Sequence, residues 1–293
     1  MTRSSPLSAP GVDTPDLSEA TASRAHPAVE VRPFRSIEEC EACVELQRHV
    51  WGFDLADVVP VTLLHVVDYV GGLAAGAFDA NDELLGFVFG VSGVRDGELV
   101  HWSHMLGVRE SARNLGLGRM LKEHQRAALA NLGIRRLFWS FDPLMAKNAY
   151  FNFNRLGASV VEYVPDMYGT TASPLHLGLP TDRLVVTTPT SPSGDAHRSA
   201  RAGTLPLLSP FPRAGDETMV PGDRMPEFIL IEIPPDILDV TRRSLTTARQ
   251  WRLAARDHFR WALTSGYEVE SVRRDTATNR EFYVMALRGP GAP

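Results

Sequence analysis

The sequence predicts an α/β protein with a mixed sheet, and three observations carry that expectation. Strand-like and helix-like patterns alternate over residues 29–188. Leu99–Val108 runs through Arg113-Asn-Leu-Gly116-Leu-Gly118 directly into an amphipathic pattern, a strand–glycine turn–helix order. Past a stretch dense in Pro, Ser, Gly and Arg, a shorter β-α-β-β pattern follows. These divide the chain into a leader (1–28), a main domain (29–188), a linker (189–227) and a C-terminal module (228–288).

Each element has its own warrant. Val29–Arg35 alternates as a first strand, and Ser36-Ile-Glu-Glu39 is a capping box opening a helix over 37–51. Val61–Val70 is a short helical stretch, and Gly76–Ala80 with Leu84–Ser92 reads as a hairpin around Asn81-Asp82. Strand Leu99–Val108, a helix over 117–132 and strand Leu137–Phe141 follow. Asp142-Pro143 predicts a helix over 143–156, with Asp142 capping its first turn and Pro143 at the first helical position. Ser159–Val164 and Arg183–Thr187 complete the sheet. The module is expected as strand Phe228–Ile233, a helix over 244–265, and a hairpin of Val269–Arg273 with Glu281–Leu287. On its helix Leu245, Ala248, Trp251, Ala255, Phe259 and Ala262 form an apolar stripe, flanked by Arg249, Arg252, Arg256 and Arg260.

Composition narrows the classes. The 293 residues are 44% hydrophobic and 22% charged, enough for a sizeable core. A net charge of −5 argues against nucleic acid or an anionic membrane as partner. No apolar run reaches the ~18 residues of a membrane span, and residues 1–28 lack the pattern of a signal peptide, so a disordered leader and a cytoplasmic protein are expected. Cys40 and Cys43 form a C-x-x-C inside a helix with no further ligands spaced for zinc. Two thiols packed on one helical face are expected, and no metal.

The glycine turn is the chemical signal. Backbone N–H groups at a helix start attract anions, and glycines let the chain approach a phosphate closely. Gly118 is followed by Arg119 and Met120, which is not a Walker loop, and position 121 is Leu where a dinucleotide fingerprint needs its third glycine. What remains is Arg-x-x-Gly-x-Gly between a strand and a helix.

That pattern resembles the coenzyme A signature of the GCN5-related N-acetyltransferases. Leu106-Gly-Val108, the helix from Gly118 to Gly133, strand Leu137–Asp142, and Asn148-Ala-Tyr150 through Leu156-Gly157 follow in the order of that family, over roughly residues 29–188. Ser103–Val108, Phe141–Leu144, Tyr163–Gly169 and Leu179–Leu184 resemble a little-described branch with relatives that acylate amino acids, in places from succinyl-CoA. The resemblance implies an acyltransferase fold whose two central parallel strands, here Leu99–Val108 and Leu137–Phe141, splay to admit pantetheine. It implies an acyl-CoA held by Leu106, Val108, Asn148 and the amides of Asn114, Leu115, Gly116, Leu117, Gly118 and Arg119, with Arg113 as an added charge.

Site residues for the chemistry come from the same region. His101 and His104 flank Ser103 on the strand before the turn, and their opposite parity lets one of them face the slot. His104 is favoured as the base, against a histidine that satisfies the core. The family's tyrosine four residues before the Gly of its Leu-Gly motif is Phe153 here, so Tyr150 or Tyr168 stands in as thiolate-protonating acid, unless the role is empty. Trp51, with Asp54 and Pro60, falls where the family walls its acceptor pocket; a core Trp51 is the competing reading. Arg252 or Arg256 is a candidate clamp for a substrate carboxylate, against a solvated basic flank. The expected activity is direct transfer of an acetyl or succinyl group to a small-molecule amine. A non-catalytic CoA-binding regulator and a nucleotide-binding enzyme are the alternatives, and pairing of two chains through the C-terminal module stays open.

Overall fold

The structure, a computed structural model, describes residues 29–52, 58–169, 178–191, 205–222 and 224–288. The expected leader and Asp54 lie outside the described residues. The main part runs β1 (Glu30–Pro33), α1 (Ile37–Trp51), α2 (Val61–Val66), β2 (Leu73–Phe78), β3 (Leu84–Arg95), β4 (Glu98–Val108), α3 (Leu117–Asn131), β5 (Arg136–Phe141), α4 (Ala146–Tyr150), β6 (Ser159–Val164) and β7 (Arg183–Pro189). Then come β8 (Leu207–Leu208), β9 (Phe228–Ile233), α5 (Ile237–Arg243), α6 (Leu245–Thr264), β10 (Tyr267–Asp275) and β11 (Arg280–Leu287).

Seven strands form a mixed sheet in the order β1-β2-β3-β4-β5-β7-β6, and only the central pair β4/β5 is parallel. The alternation of side chains dictates what covers each face. Phe87 and Phe89 of β3 pack with Cys40, Cys43 and Leu46 of α1 and Leu64 of α2. Val88, from the other side of the same strand, packs with Leu121 of α3. Ser36 caps α1 by accepting the Glu39 N–H at 3.3 Å, and Gly52 ends it in the left-handed conformation. Cys40 and Cys43 lie in this core, where burial pushes both thiols up and keeps them protonated.

The second sheet, ordered β10-β11-β9-β8, shares a core with β5, β7 and α4. Phe259 of α6 stacks on Tyr163 of β6 and meets Tyr283 of β11 edge-on, at 5.8 and 4.8 Å between ring centres. The Tyr283 hydroxyl donates to the Pro143 carbonyl at 2.8 Å. Asn154 presents its amide to the backbone of Val272 in β10, donating at 3.1 Å and accepting at 2.8 Å, as a strand neighbour would. Every expected stripe residue of α6 is buried except Leu245, at the helix start.

Three local expectations change. The helix foreseen over 143–156 starts at Ala146 and widens into a π turn over Phe151–Arg155. Asp142 therefore caps a tight turn, accepting the Leu144 N–H at 2.9 Å, rather than the helix. Within the stretch read as linker, Leu207–Leu208 forms β8 beside β9, and Asp216 pairs with Arg280 at 2.7 Å. A short helix, α5, capped by Asp236, precedes α6 where sequence patterning showed one helix only.

A candidate site where the parallel strands part

β4 and β5 pair through only two positions, His101 with Leu137 and Trp102 with Phe138. From Ser103 and Trp139 onward the facing edges separate, leaving backbone donors and acceptors on both strands without a ladder. The cause is visible in β4. Ser103 pairs with Gly90 of β3 and Met105 with Phe89, so His104 is one extra residue, a β-bulge that bends the strand. The bulge resets parity. His101 and Ser103 face α3, and so do Leu106 and Val108 beyond it. His104 stays on the opposite face, exposed, with its ring edge-on to Phe89 at 6.1 Å, and desolvation holds its pKa below 6.5.

Immediately after β4 the chain makes a tight glycine turn into α3. Asn114 and Gly116 take positive φ, +70° and +75°, and Gly116 opens α3 without a side-chain cap. Among the described residues, the N–H groups of Asn114, Leu115, Gly116, Leu117 and Gly118 have no protein acceptor, whereas Arg119 and Met120 donate to the Gly116 carbonyl at 3.0 and 3.2 Å. The space outside Gly116 is open, because a Cβ there would meet nothing within 4 Å. Five unspent donors at a helix N-terminus fit a diphosphate. Arg113 is half-exposed nearby, 3.6 Å from Glu110, and Arg119 pairs with Glu123 at 2.6 Å.

On the α3 face the parting closes on a buried polar chain. The Ser92 hydroxyl donates to the Gly71 carbonyl at 2.5 Å, so the His101 Nδ1–H donates to Ser92 at 2.9 Å. That tautomer leaves Nε2 to accept from the Gln125 amide at 3.0 Å, and Gln125 Oε1 then accepts from Lys122 Nζ at 3.2 Å. Lys122 also donates to Ser103 Oγ at 2.6 Å and sits over the Trp139 ring, 4.6 Å from its centre. Gly90 makes room for this arrangement, since a Cβ there would lie 2.2 Å from His101 Nε2. Burial lowers His101 to about 4 and Lys122 to about 7.

The sequence-derived candidates thus separate. His101 is sealed from solvent by this network and does not face the slot as a base. Ser103 is in place at the parting, its Oγ accepting from Lys122. Tyr168, in the turn after β6, reaches β5 on the face opposite α3, its hydroxyl 3.1 Å from Ser140 Oγ, and His104 projects from the parted stretch of β4 on that same face. Tyr150, half-exposed on α4 beneath Arg155, and the exposed Asn148 belong to the helix beside α3. Phe153 is core, packed edge-on against Phe141 and Tyr283. Trp51 packs on Phe87 at 5.9 Å and fills the space a Cβ on Gly107 would need. That is the packing alternative to an acceptor-pocket wall.

Arg252 and Arg256, expected to clamp a substrate carboxylate, turn to carboxylates of the chain itself. Arg252 is buried against Asp142 at 2.9 Å, and Arg256 holds both Asp182, at 2.5 Å, and Asp166, at 2.8 Å. The physical reason is the docking of α6 against the ends of β5, β6 and β7, which carries both guanidinium groups onto those turns. Sequence reading missed Lys122 and Gln125. The signal was present: they share the buried side of α3 with Leu121 and Leu129, polar residues set into an apolar stripe.

No protein-family model and no curated protein matches the chain. Among solved structures, the ribosomal-protein-S18-alanine N-acetyltransferase from Escherichia coli is 17% identical, with 58% of this chain and 98% of that one aligned and a TM-score of 0.44. An acetyltransferase of the GNAT family from Streptococcus pneumoniae is 16% identical over 55% and 99%, with a TM-score of 0.45. An aminoglycoside 6'-acetyltransferase type Ii is 19% identical over 56% and 99%, also at 0.45.

Proposed function

We propose that this chain is an acyl-CoA-dependent N-acyltransferase of the GCN5-related kind, moving an acetyl or succinyl group to the amine of a small molecule, amino acids included. One observation carries the reading: the open edges of β4 and β5 lie next to five backbone donors that have no acceptor among the described residues. A ligand with an amide-bearing arm and a diphosphate satisfies both at once. Solved acetyltransferases similar to this chain include one complexed with coenzyme A, which agrees with that ligand.

In this reading the amides of residues 114–118 hold the diphosphate and the free edge of β4 between Ser103 and Val108 pairs with the pantetheine amides. His104 takes the proton of the attacking amine, directly or through water; with its pKa below 6.5 it is neutral at pH 7 and able to accept. Tyr168, its hydroxyl 3.1 Å from Ser140 Oγ, is read as lining the acceptor side together with His104. The amine attacks in a ternary complex, since both cysteines are buried in the α1 core, away from the slot. Residues 228–288 serve as a module that braces α4 and the ends of β5, β6 and β7.

Calorimetric titration with CoA and ATP, followed by thiol release with acetyl- and succinyl-CoA over a panel of amines and amino acids, tests the proposal. CoA binding with turnover on one amine class supports it, and ATP binding without CoA binding refutes it. The core position of Phe153 gives the regulatory alternative its one specific support, and CoA binding without turnover on any acceptor would favour it.

A further inference from the structure

The chain of buried polar groups around Lys122 has no part in the steps above, although it stands at the closed end of the same slot. Lys122 Nζ bonds Ser103 and covers Trp139, the first residue past the last pair on each strand. Its three donors find a hydroxyl, an amide oxygen and a ring face. Burial alone perturbs it; no carboxylate among the described residues offsets its charge. A buried ammonium without a counter-ion gives up its proton or meets negative charge that arrives with a ligand or develops in the reaction. The groups facing it are Ser103 and His101 from β4, Gln125 from its own helix and Trp139 from β5, and His101, at about 4, is neutral.

If the site binds acyl-CoA as proposed, negative charge develops on the thioester sulphur. The run of β4 from Val108 back to Ser103 is roughly 17 Å of extended chain. An extended pantetheine arm of that reach, anchored at the amides of α3, ends with its sulphur near the closed end.

We propose that Lys122, acting through the Ser103 hydroxyl, is the proton source for the departing thiolate. When the carbon–sulphur bond of the adduct breaks, its electron pair goes to sulphur. Sulphur takes the Ser103 hydroxyl proton, Ser103 Oγ takes one from Lys122, and the products are free thiol and neutral Lys122. The proton released by the amine leaves through His104 or water, and Lys122 regains its own from solvent between turnovers. An ammonium near pH 7 hands a proton downhill to a thiolate whose thiol has a pKa of about 8.5. This relay fills the role vacated by Phe153. Lys122 is a positioning residue here; Ser103 touches the sulphur.

The test uses the full chain with lysine side chains isotope-labelled, and Lys122→Met to assign the Lys122 signal. The signal is titrated free, with CoA, and with desulfo-CoA, which keeps the diphosphate and lacks sulphur. CoA is expected to move the Lys122 titration and desulfo-CoA to leave it in place. Equal response to both ligands, with both bound, overturns the relay while leaving the acyl-CoA reading intact. Failure of both to bind overturns the reading itself. In turnover, Lys122→Met and Ser103→Ala should each lower kcat roughly 10- to 100-fold with little change in KM for the acyl-CoA. A thioester with a more acidic thiol should restore most of the loss. Loss of kcat that such a leaving group does not restore also overturns the relay.

Discussion

Replacing Lys122 with Met should remove a specific pH dependence of stability. The side chain is 4% exposed, and burial takes its pKa from 10.5 to about 7. A lysine whose folded pKa lies below its unfolded value binds its proton more tightly when unfolded. Folding then releases that proton, and stability rises as pH rises from 7 toward 10.5. Between pH 7.5 and 9.5 the linkage amounts to a few kcal/mol, on the order of 2–3, in favour of the folded state at the higher pH. Lys122→Met keeps the volume and removes the titration. It also leaves Ser103 Oγ and Gln125 Oε1 without their donor, at about 1–3 kcal/mol each, so absolute stabilities of the two proteins are not the informative comparison. The change of each with pH is. Urea unfolding of both proteins at pH 7.5 and 9.5, followed by tryptophan fluorescence, gives that double difference, in which titrations common to both cancel. An equal pH dependence in wild type and variant would refute the claim that Lys122 is buried without a counter-charge.

Other outcomes follow from the same geometry. Gly118→Ala should keep CoA affinity and raise helix stability by roughly 0.5–1 kcal/mol, because its Cβ would meet Phe151 Cζ at an ordinary 3.5 Å; thermal melts with CoA titrations check this. Gly116→Val, at φ +75°, should weaken CoA binding and also cost about 1–2 kcal/mol by forcing a branched residue into left-handed backbone. His104→Ala should abolish the acid limb of the kcat/KM profile, which in the wild type lies below pH 6.5, without changing CoA affinity; an unmoved profile makes His104 structural. Arg252→Met strands Asp142 in a buried position and should destabilise by about 3–5 kcal/mol. The double variant Arg252→Met with Asp142→Leu should recover much of that loss, as denaturant midpoints would report.

The order of elements was legible because periodicity and turn residues are local. Leu99–Val108, the Gly116–Gly118 turn and the start of α3 are written in consecutive residues, and so are the capping box at Ser36 and the two thiols on one side of α1. Local rules failed where a distant partner decided the outcome. Asp142 looked like a helix cap, yet Arg252, 110 residues later in the chain, occupies its second oxygen and the helix begins farther on. Arg256 looked free for a ligand until α6 docked on the turns bearing Asp166 and Asp182.

By itself, then, the sequence determined an alternating α/β chain with a glycine turn between its central strand and the next helix, because backbone preferences and glycine conformations act over a few residues. Only the tertiary structure decided what stands behind that turn. An extra residue at His104 bends β4 away from β5, and the packing of α3 across the gap seals His101 in and brings Lys122 to the point where the strands separate. Burial and register arise from contacts between segments far apart in the chain, and a charge acquires its chemistry from the groups that surround it.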